Sequence, residues 1–553
     1  MTLDKLRRCL VACFCVLLLG GAFAIPTSGS SVNVPLDHWS YHDIDTLIGF
    51  GLIRTALVGT RPFSRDEMAR LIAEAIPRRE DLPYRQRTIA NRLIKRLLGE
   101  FQDEVNVRIN GKDAAPQTFI KPFNEISMQV VHLDGKPTRM FRESNIDATE
   151  GTPLLRNNEG VTYRDGQNLM LTASSYAKLW DHFSFFVQPL FLLRSDDGGD
   201  ADVRLHKGYL KASLGPVPFE LEFGRDSIWW GQGRRGTLIF SNHARPLEMI
   251  QLSMPHPVKL PWIFRYLGLF KTNAIFSILE DDRDRSRAKV VGLRMQIKPL
   301  SWLELGGIGA VQFGGKGVSE KLSLDGVVDF LGFGNLNNVN QLFAFDLRIT
   351  LPFLRYTEIY FEYGGEDSAT DPGIIVNNEG PEFLWGDVAY LVGLYVPRVT
   401  DDGRTTFRLE WMQNDFANND LSNPADQSGP NVWYNHSQFT SGFTFKNRVL
   451  GHAAGGDGGE LFCRLTRDIA QRVTLGGDFS YQWRGDVLLN NADITGRQKE
   501  RHYRGGVDLR YFVSDQWEVR SRLALEKVDN FNLQPDDDRT NAIFWLNVRF
   551  HMS

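Results

Sequence analysis

The sequence predicts an all-β transmembrane barrel, antiparallel and of about 18 strands, with a small N-terminal α-helical subdomain. Three observations predict this fold: many segments alternate apolar and charged residues, the chain starts with the pattern of a secretion signal, and no long apolar helix follows that start. Successive side chains of a strand point to opposite faces, so each alternating segment offers one face to lipid and one to a polar lumen.

The first 24 residues have the three parts of a signal peptide. Lys5 and Arg7 give a positive start, residues 10–19 are mostly apolar, and Ala22 and Ala24 are the small residues of a cleavage site. We therefore expect residues 1–24 to be removed and the chain to be exported to the cell outer membrane.

The composition permits a barrel and argues against a nucleic-acid partner. The 553 residues carry a formal net charge of -4, 24% charged residues and a mean hydropathy of -0.27. These values resemble those of a soluble protein, but in a barrel the lumen-facing residues dilute the lipid-facing ones. The mild acidity is the opposite of what binding to phosphates requires.

Only one of the four cysteines, Cys463, lies outside the predicted signal peptide. We therefore expect neither a disulfide nor a thiolate metal site in the mature monomer. Residues 10–13 superficially resemble a lipoprotein box, but they precede most of the apolar stretch, which argues against a lipid anchor there.

Residues 25–102 are predicted to form a periplasmic helical subdomain. Pro35 begins a first helix, Ser64 with Glu67 makes a capping box that opens a second, which Pro77 ends, and Pro83 opens a third. These helices precede every segment with a strand pattern, so we place them on one side of the barrel.

The same region resembles a single S-layer homology motif in three short stretches: His38-Trp39, residues 51–53 and residues 62–67. Motifs of this kind grip cell-wall polymers, and they come in sets. A single copy favours a structural helical cap. Contact of these helices with peptidoglycan or with an export partner stays open.

Residues 103–553 are predicted to form the barrel. Near the C-terminus every second residue is apolar, at Phe544, Leu546 and Val548. The polar Asn547 and Arg549 occupy alternate positions beside them. Many segments reach the roughly 9–11 residues that a tilted strand needs to span a membrane. The predicted strands cover 124–133, 167–179, 181–194, 203–214, 217–226, 272–280, 288–299, 301–313, 341–351, 356–366, 387–397, 404–414, 434–446, 459–467, 471–484, 502–513, 516–527 and 540–550.

The charged positions of the alternating segments predict the lumen, since a water-filled or plugged interior can accommodate charges that lipid cannot. Both signs are present, so the pattern indicates neither a strongly anion-selective nor a strongly cation-selective pore. The predicted lumen residues are Glu220, Glu222, Glu358, Glu362, Arg408, Glu410, Asp508, Arg510, Glu518, Arg520 and Arg522.

Residues 224–262 interrupt the alternation and resemble the Wzi family of outer-membrane capsule-assembly proteins. The family carries a Gly-Arg-Asp, a Trp-Gly-x-Gly turn and a Leu-x-x-Ser-Asn-x-Ala-x-Pro stretch after one barrel strand; Gln232 departs from it, since proline is expected there. The matching residues are Gly224, Arg225, Asp226, Trp230, Gly231, Gly233, Leu238, Ser241, Asn242, Ala244 and Pro246. The resemblance implies an outer-membrane barrel that helps capsular polysaccharide attach to the cell surface.

This segment supplies the candidate site, a polysaccharide-binding or lumen-loop motif. Tryptophan offers flat faces to sugars, arginine pairs with the acidic groups of capsules, and amides supply paired donors and acceptors. The alternative is structural: an Arg225–Asp226 ion pair, with tryptophans that wedge an inward-folded loop against the wall. The candidate residues are Arg225, Asp226, Trp229, Trp230, Gln232, Arg234, Arg235 and Asn242.

Other constellations are weaker. Residues 231–236 read G-x-G-x-x-G, but β-prone residues follow where a dinucleotide site needs a helix. His38 and His42 are four apart on a predicted helix, a spacing too common to identify a metal site. Hydrolase and metalloprotease signatures are missing from the sequence. We therefore expect no catalysis, no cofactor and no metal.

The predicted function is to organise or anchor capsular or extracellular polysaccharide by lectin-like contacts. Its expected partners are an acidic surface polysaccharide and outer-membrane lipid. Two alternatives stay open: a porin or substrate channel for small solutes or saccharides, since the same lumen charges suit either, and an outer-membrane enzyme that acts on polysaccharide.

Overall fold

The protein folds as a closed antiparallel β-barrel with helices at its N-terminus. The computed structural model describes residues 29–552 apart from 141–147, 196–198, 216, 318–338, 367–387, 415–432, 437 and 486–495. The predicted signal peptide lies outside the described residues. Within them, 18 strands build the wall, which confirms the predicted fold class.

The barrel strands follow one another around the wall in chain order. The described residues form three α-helices: α1 Ser40–Gly49, α2 Arg65–Arg78 and α3 Tyr84–Asn110. The strands are β1 Phe119–Asp134, β2 Gly166–Leu179, β3 Phe183–Arg194, β4 Asp200–Ser213, β5 Glu220–Asp226, β6 Leu247–Ser253, β7 Leu269–Ile278, β8 Lys289–Leu300, β9 Leu303–Phe313, β10 Asn340–Leu351, β11 Thr357–Glu366, β12 Val388–Val396, β13 Thr405–Gln413, β14 Gly458–Ala470, β15 Val473–Arg484, β16 Glu500–Phe512, β17 Trp517–Asp529 and β18 Arg539–His551.

Pairing of the first strand with the last closes the wall. β1 runs antiparallel to β18, with Glu125 opposite His551 and Asp134 opposite Ala542. Among the 18 described wall strands, closure leaves no edge with unpaired backbone groups, which is the condition for crossing a bilayer with strands.

The wall has the predicted polarity. On β5 the outward Leu221 and Phe223 are exposed, and the inward Glu220 and Glu222 are buried. All eleven predicted lumen residues share the inward face of their strands, which confirms that prediction. The outward face therefore offers an apolar band to lipid.

Short turns mark one end of the barrel. Residues 180–182 and 513–516 are two of these turns. The helices cover the same end: Arg92 of α3 lies 3.2 Å from Asp468 at the end of β14, and Trp39 packs edge-on against Phe512 at the end of β16. The helices therefore lie at the short-turn end of the barrel, the end that faces the periplasm in barrels of this class.

The helical subdomain has its own apolar core and begins as predicted. The Glu67 backbone N–H donates to Ser64 Oγ at 3.1 Å, which confirms Ser64 as the N-cap of α2. The Glu67 carboxylate binds Arg70 and His256. Two details differ: Pro77 lies inside the last turn of α2, and α3 continues to Asn110, past the predicted end of the subdomain at 102. Among the described residues, no helix is long and apolar enough to cross a membrane.

Two strand predictions are wrong. The sequence predicts no strand where β6 lies, within residues 224–262. The reason is that the inward Leu247 and Met249 of β6 are apolar and its outward Glu248 is charged. The predicted strand 434–446 is not part of the wall; its described residues form turns and half of a short hairpin, Thr444–Phe445 with Arg448–Val449. Its apolar residues are buried inside the barrel, against the segment described next.

Candidate functional site

The interrupted segment is a loop that folds into the barrel from the end opposite the helices. We call residues 227–246, which join β5 to β6, the lumen loop. Its Trp229–Trp230 pairs antiparallel with Thr60–Arg61 of the helical subdomain, and Gly231 N–H donates to Gly59 C=O at 2.8 Å. The outer loop and the periplasmic subdomain thus meet inside the lumen.

Carboxylates of the wall hold the backbone of the lumen loop. Glu362 of β11 accepts the N–H of Gly233 at 2.7 Å and of Leu238 at 3.0 Å. Glu410 of β13 accepts the N–H of Arg234 at 3.0 Å and of Arg235 at 2.9 Å. Both carboxylates are buried, so they satisfy backbone donors that would otherwise lack a partner away from water.

A second group of wall residues holds the segment of the helical subdomain that enters the lumen. Glu304 accepts the N–H of Val58 at 3.3 Å and of Gly59 at 3.1 Å. Gln232 of the lumen loop donates to the same carboxylate at 3.0 Å and to Asp346 at 2.7 Å. Gln232 therefore joins loop, subdomain and wall.

Gly231 is required by its surroundings. Its φ of 140° lies in the region that favours glycine, and a Cβ there would overlap the Glu362 carboxylate. The Trp-Gly-x-Gly turn of the sequence therefore places the loop backbone against the wall.

The two tryptophans are buried in the lumen. Trp230 is fully buried and packs edge-on against Phe240, with ring centroids 5.1 Å apart. Trp229 Nε1 donates to the Gly233 carbonyl at 3.0 Å, which closes the turn on itself. Neither ring presents a free face in this conformation.

The two arginines of the turn connect the loop to its surroundings. Arg234 lies 3.3 Å from Asp45 of α1, and Arg235 lies 3.0 Å from Glu460 of β14 and over the ring of Phe462. Both guanidinium groups are thus engaged inside the protein.

The remaining candidate residues lie at the outer end of the loop. Arg225, partly exposed on the outward face, pairs with Glu248 of β6, and Asp226 accepts from Asn33 Nδ2 at 2.8 Å. The alternative of an Arg225–Asp226 ion pair is therefore wrong. Asn242 is buried, and its backbone carbonyl accepts the backbone N–H of Glu159 at 2.9 Å.

Sequence reasoning missed four acidic residues of this site: Glu159, Glu304, Asp346 and Glu460. The Glu159 carboxylate lies 2.8 Å from His206 Nε2 and accepts hydrogen bonds from Lys207 Nζ and Ser227 Oγ, so it fixes the outer end of the lumen loop. These residues come from segments far apart in the chain. Alternating polarity identifies inward charges but carries no information about which loop they hold.

The weaker constellations do not form a cofactor site in the described residues. Residues 231–236 are followed by turns, not by the helix that a dinucleotide site needs. His42 lies 3.9 Å from Asp468, apart from His38. Three possible ligand atoms do lie within 4.8 Å of one another, on His38, Glu100 and His551. However, His38 already hydrogen-bonds to Ser40, and Glu100 already accepts from Arg65.

Comparison with known proteins agrees with this architecture. The family model of the capsule assembly protein Wzi matches residues 136–543. A Klebsiella pneumoniae protein described as an uncharacterized 55.8 kDa protein in the cps region is 27% identical over 240 residues, which are 41% of this chain and 45% of that relative. The chain thus spans about half the length of that relative.

A solved structure has the same fold along nearly the whole chain. It is Escherichia coli Wzi, an outer membrane protein involved in group 1 capsule assembly and a carbohydrate-binding β-barrel. The similarity covers 95% of this chain and 100% of the other, with a TM-score of 0.64 and 18% identity.

Proposed function

The chain belongs to the Wzi family of capsule assembly proteins, and from this premise we propose that it binds acidic polysaccharide and anchors it at the cell surface without catalysis. It is an outer-membrane β-barrel. The Escherichia coli relative binds carbohydrate, and the same capacity here is part of the proposal.

The observation that carries the proposal is the filled lumen. Apolar residues of the lumen loop and of residues 433–454 form one cluster with the inner wall, which includes Trp230, Phe240 and Phe443. The backbone of Thr60–Arg61 pairs with Trp229–Trp230 beside this cluster. A porin needs a water-filled path through its barrel. A barrel whose interior is occupied from both ends suits binding better than conduction.

The proposed contacts lie at the outer end, around the lumen-loop motif. Arg225 is the candidate residue that is partly exposed there, and its guanidinium reaches the Leu205 carbonyl beside Arg204. Neighbouring guanidinium groups can bind the carboxylates of an acidic polymer in forked geometry. The buried candidates, Trp229 and Trp230 among them, would act by shaping the loop that displays these contacts.

Anchoring needs only weak individual sites. A capsular polymer repeats its acidic unit many times, and neighbouring barrels offer many copies of the same site. Linked weak contacts combine through effective concentration into tight retention. The described outer rim can therefore hold a polymer without a deep binding pocket.

Other partners remain part of the proposal. Outer-membrane lipid would contact the apolar outward face, and exposed Trp180, Trp262, Trp302 and Trp517 at the periplasmic end suit an interfacial aromatic girdle. The N-terminal helices would face export machinery or peptidoglycan.

The test is the distribution of polysaccharide between cells and medium in a deletion strain and its parent. We expect the deletion to shift polymer from the cells to the medium while total synthesis stays the same. An unchanged distribution together with altered uptake of small solutes would favour the channel alternative. Purified protein should leave the chain length of capsule unchanged, whereas shortening would show an enzyme.

Variants of the complemented strain locate the contacts. Arg225→Gln should release more polymer than Arg265→Gln, an exposed arginine at the opposite end of the barrel. Trp229→Ala combined with Trp230→Ala should also release polymer, and Trp262→Ala is the matched control outside the lumen. Retention by the double tryptophan variant would place the binding site elsewhere.

A further inference from the structure

A cavity of about 420 Å³ lies inside the periplasmic half of the barrel, apart from the outer-rim site. We call it the arginine cavity. Helix α1 forms one side, and strands β12 to β18 form the other. Five arginines line it: Arg408, Arg464, Arg510, Arg520 and Arg522. Its volume falls within the range of sites for small molecules, roughly 300–1,000 Å³.

Two pairs of these arginines share their carboxylates. Arg464 and Arg522 both bind Asp478, at 3.0 and 2.7 Å, and both approach Asp508. Two carboxylates thus serve these two guanidinium groups, and Arg464 lies 2.7 Å from Asp508.

Arg510 and Arg520 likewise share Glu518, at 2.8 and 2.7 Å. Arg408 is further from any acid: its nearest carboxylate, Glu410, is 4.0 Å away and already holds the lumen loop. Five guanidinium groups thus surround three closely bound carboxylates.

The two other acids that line the arginine cavity bind most closely to arginines outside it. Asp37 pairs with Arg549 and lies 3.9 Å from Arg520. Asp45 lies 3.1 Å from Arg61 and 3.3 Å from Arg234. They do not cancel the excess positive charge of the arginines. An anion is the ligand that would.

Two buried donors that belong to the lining have no hydrogen-bond partner among the described residues: Arg408 Nε and Trp545 Nε1. A buried donor without an acceptor is costly, so both favour a ligand with acceptor oxygens. The aromatic rings of Trp545 and Tyr395 also line the space, and Arg408 lies over the Tyr395 ring at 4.8 Å.

We propose that the arginine cavity binds one acidic sugar unit, a hexuronate, on the periplasmic side of the barrel. Its carboxylate would lie against Arg408 and Arg510, its hydroxyl oxygens would accept from Trp545, and its apolar face would lie on an aromatic ring. Arg408 and Arg464 keep 21% and 27% of their side-chain surface exposed, so water and a small ligand reach the site. Only the choice of sugar as ligand rests on the proposed function.

Calorimetric titration of the purified full-length protein tests the proposal. Glucuronate should bind, and neutral glucose should bind at least about tenfold more weakly, a difference of about 1.4 kcal/mol. Inorganic phosphate is the third probe. Absence of glucuronate binding, or phosphate binding of equal strength, would overturn the assignment to an acidic sugar.

Substitutions assign the binding to this cavity. Arg408→Gln should weaken glucuronate binding about tenfold, and Arg408→Lys, which keeps the charge but loses the fork, should weaken it less. Arg472→Gln, an exposed arginine of the short turn between β14 and β15, is the control and should bind like the parent.

Heat-dependent migration on gels verifies that each variant is folded. Unchanged glucuronate affinity in folded Arg408→Gln would exclude this cavity. Such a failure leaves the cell-retention test of the proposed function intact, because that test measures polymer release in a deletion strain.

Discussion

Replacing Glu362 by alanine should loosen the lumen loop and make the barrel conduct. Glu362 is buried on β11 and accepts two backbone N–H groups of the loop, those of Gly233 and Leu238. Alanine leaves both donors without a partner and opens space beside Gly231, which lies against this carboxylate.

The expected magnitude follows from the number of donors. A buried donor left unsatisfied costs about 1–3 kcal/mol, so Glu362→Ala should destabilise the docked loop by about 2–6 kcal/mol. Glu410→Ala strands the two N–H groups of Arg234 and Arg235 in the same way. Since a change of about 5.5 kcal/mol moves a population from 1:99 to 99:1, the double variant should open the loop in a large fraction of molecules.

Single-channel recording in planar bilayers measures the effect. The parent barrel should conduct poorly, Glu362→Ala should show open events, and the double variant should conduct most of the time. Glu358→Ala is the control on the same strand, because Glu358 is also buried but pairs with Arg348 instead of the loop. Its conductance should stay near that of the parent.

Two results would refute this reasoning. A folded double variant that conducts no more than the parent would show that the carboxylates do not hold the loop. A parent that conducts like an open porin would show that the lumen segments do not seal the barrel, and would favour the channel alternative.

Two further predictions concern stability. Trp230→Ala should cost about 3–5 kcal/mol, because a fully buried indole is replaced by a cavity, and should lower the temperature at which the barrel unfolds on heated gels. For His256, burial alone would lower the pKa, but Asp66 and Glu67 raise it to about 8 from 6.5. The folded state therefore gains about 2 kcal/mol that is fully present below pH 6.5 and lost as pH rises through about 8, and His256→Gln should remove this dependence in helical circular dichroism melts.

Much of the fold could be predicted because period-2 polarity is a local property. The predicted strand 516–527 corresponds to Trp517–Asp529, and the predicted 288–299 to Lys289–Leu300. The N-cap at Ser64 is equally local, since donor and acceptor are three residues apart. Such features need no knowledge of the rest of the chain.

The two strand errors have one physical cause, and in the strand count they cancel. Packing of the lumen loop makes the inner wall apolar where β6 passes, so Leu247 and Met249 do not read as lumen residues. The same packing makes part of 434–446 apolar, because Phe439 and Phe443 fill the lumen from inside. A prediction that assumes a polar barrel interior therefore misses β6 and places a strand at 434–446.

The sequence indicates which segment forms the lumen loop, but not which wall residues bind it. The motif around Trp230 identified the lumen loop, yet the partners of its backbone, Glu362 and Glu410, lie more than a hundred residues further along the chain. Barrel closure brings them together, and closure depends on the register of every strand between them. A short stretch of sequence therefore carries no information about which distant residues contact the loop.

The charges of the lumen show why composition alone could not separate a porin from an anchor. Mixed charges on the inward faces suit a water-filled pore and a plugged one equally well. In this barrel three wall carboxylates accept backbone N–H groups of the segments that fill the lumen, so they are engaged inside the protein: Glu304, Glu362 and Glu410. The arginines of the periplasmic half keep an excess of positive charge, as expected where a ligand, not a loop, is to be held.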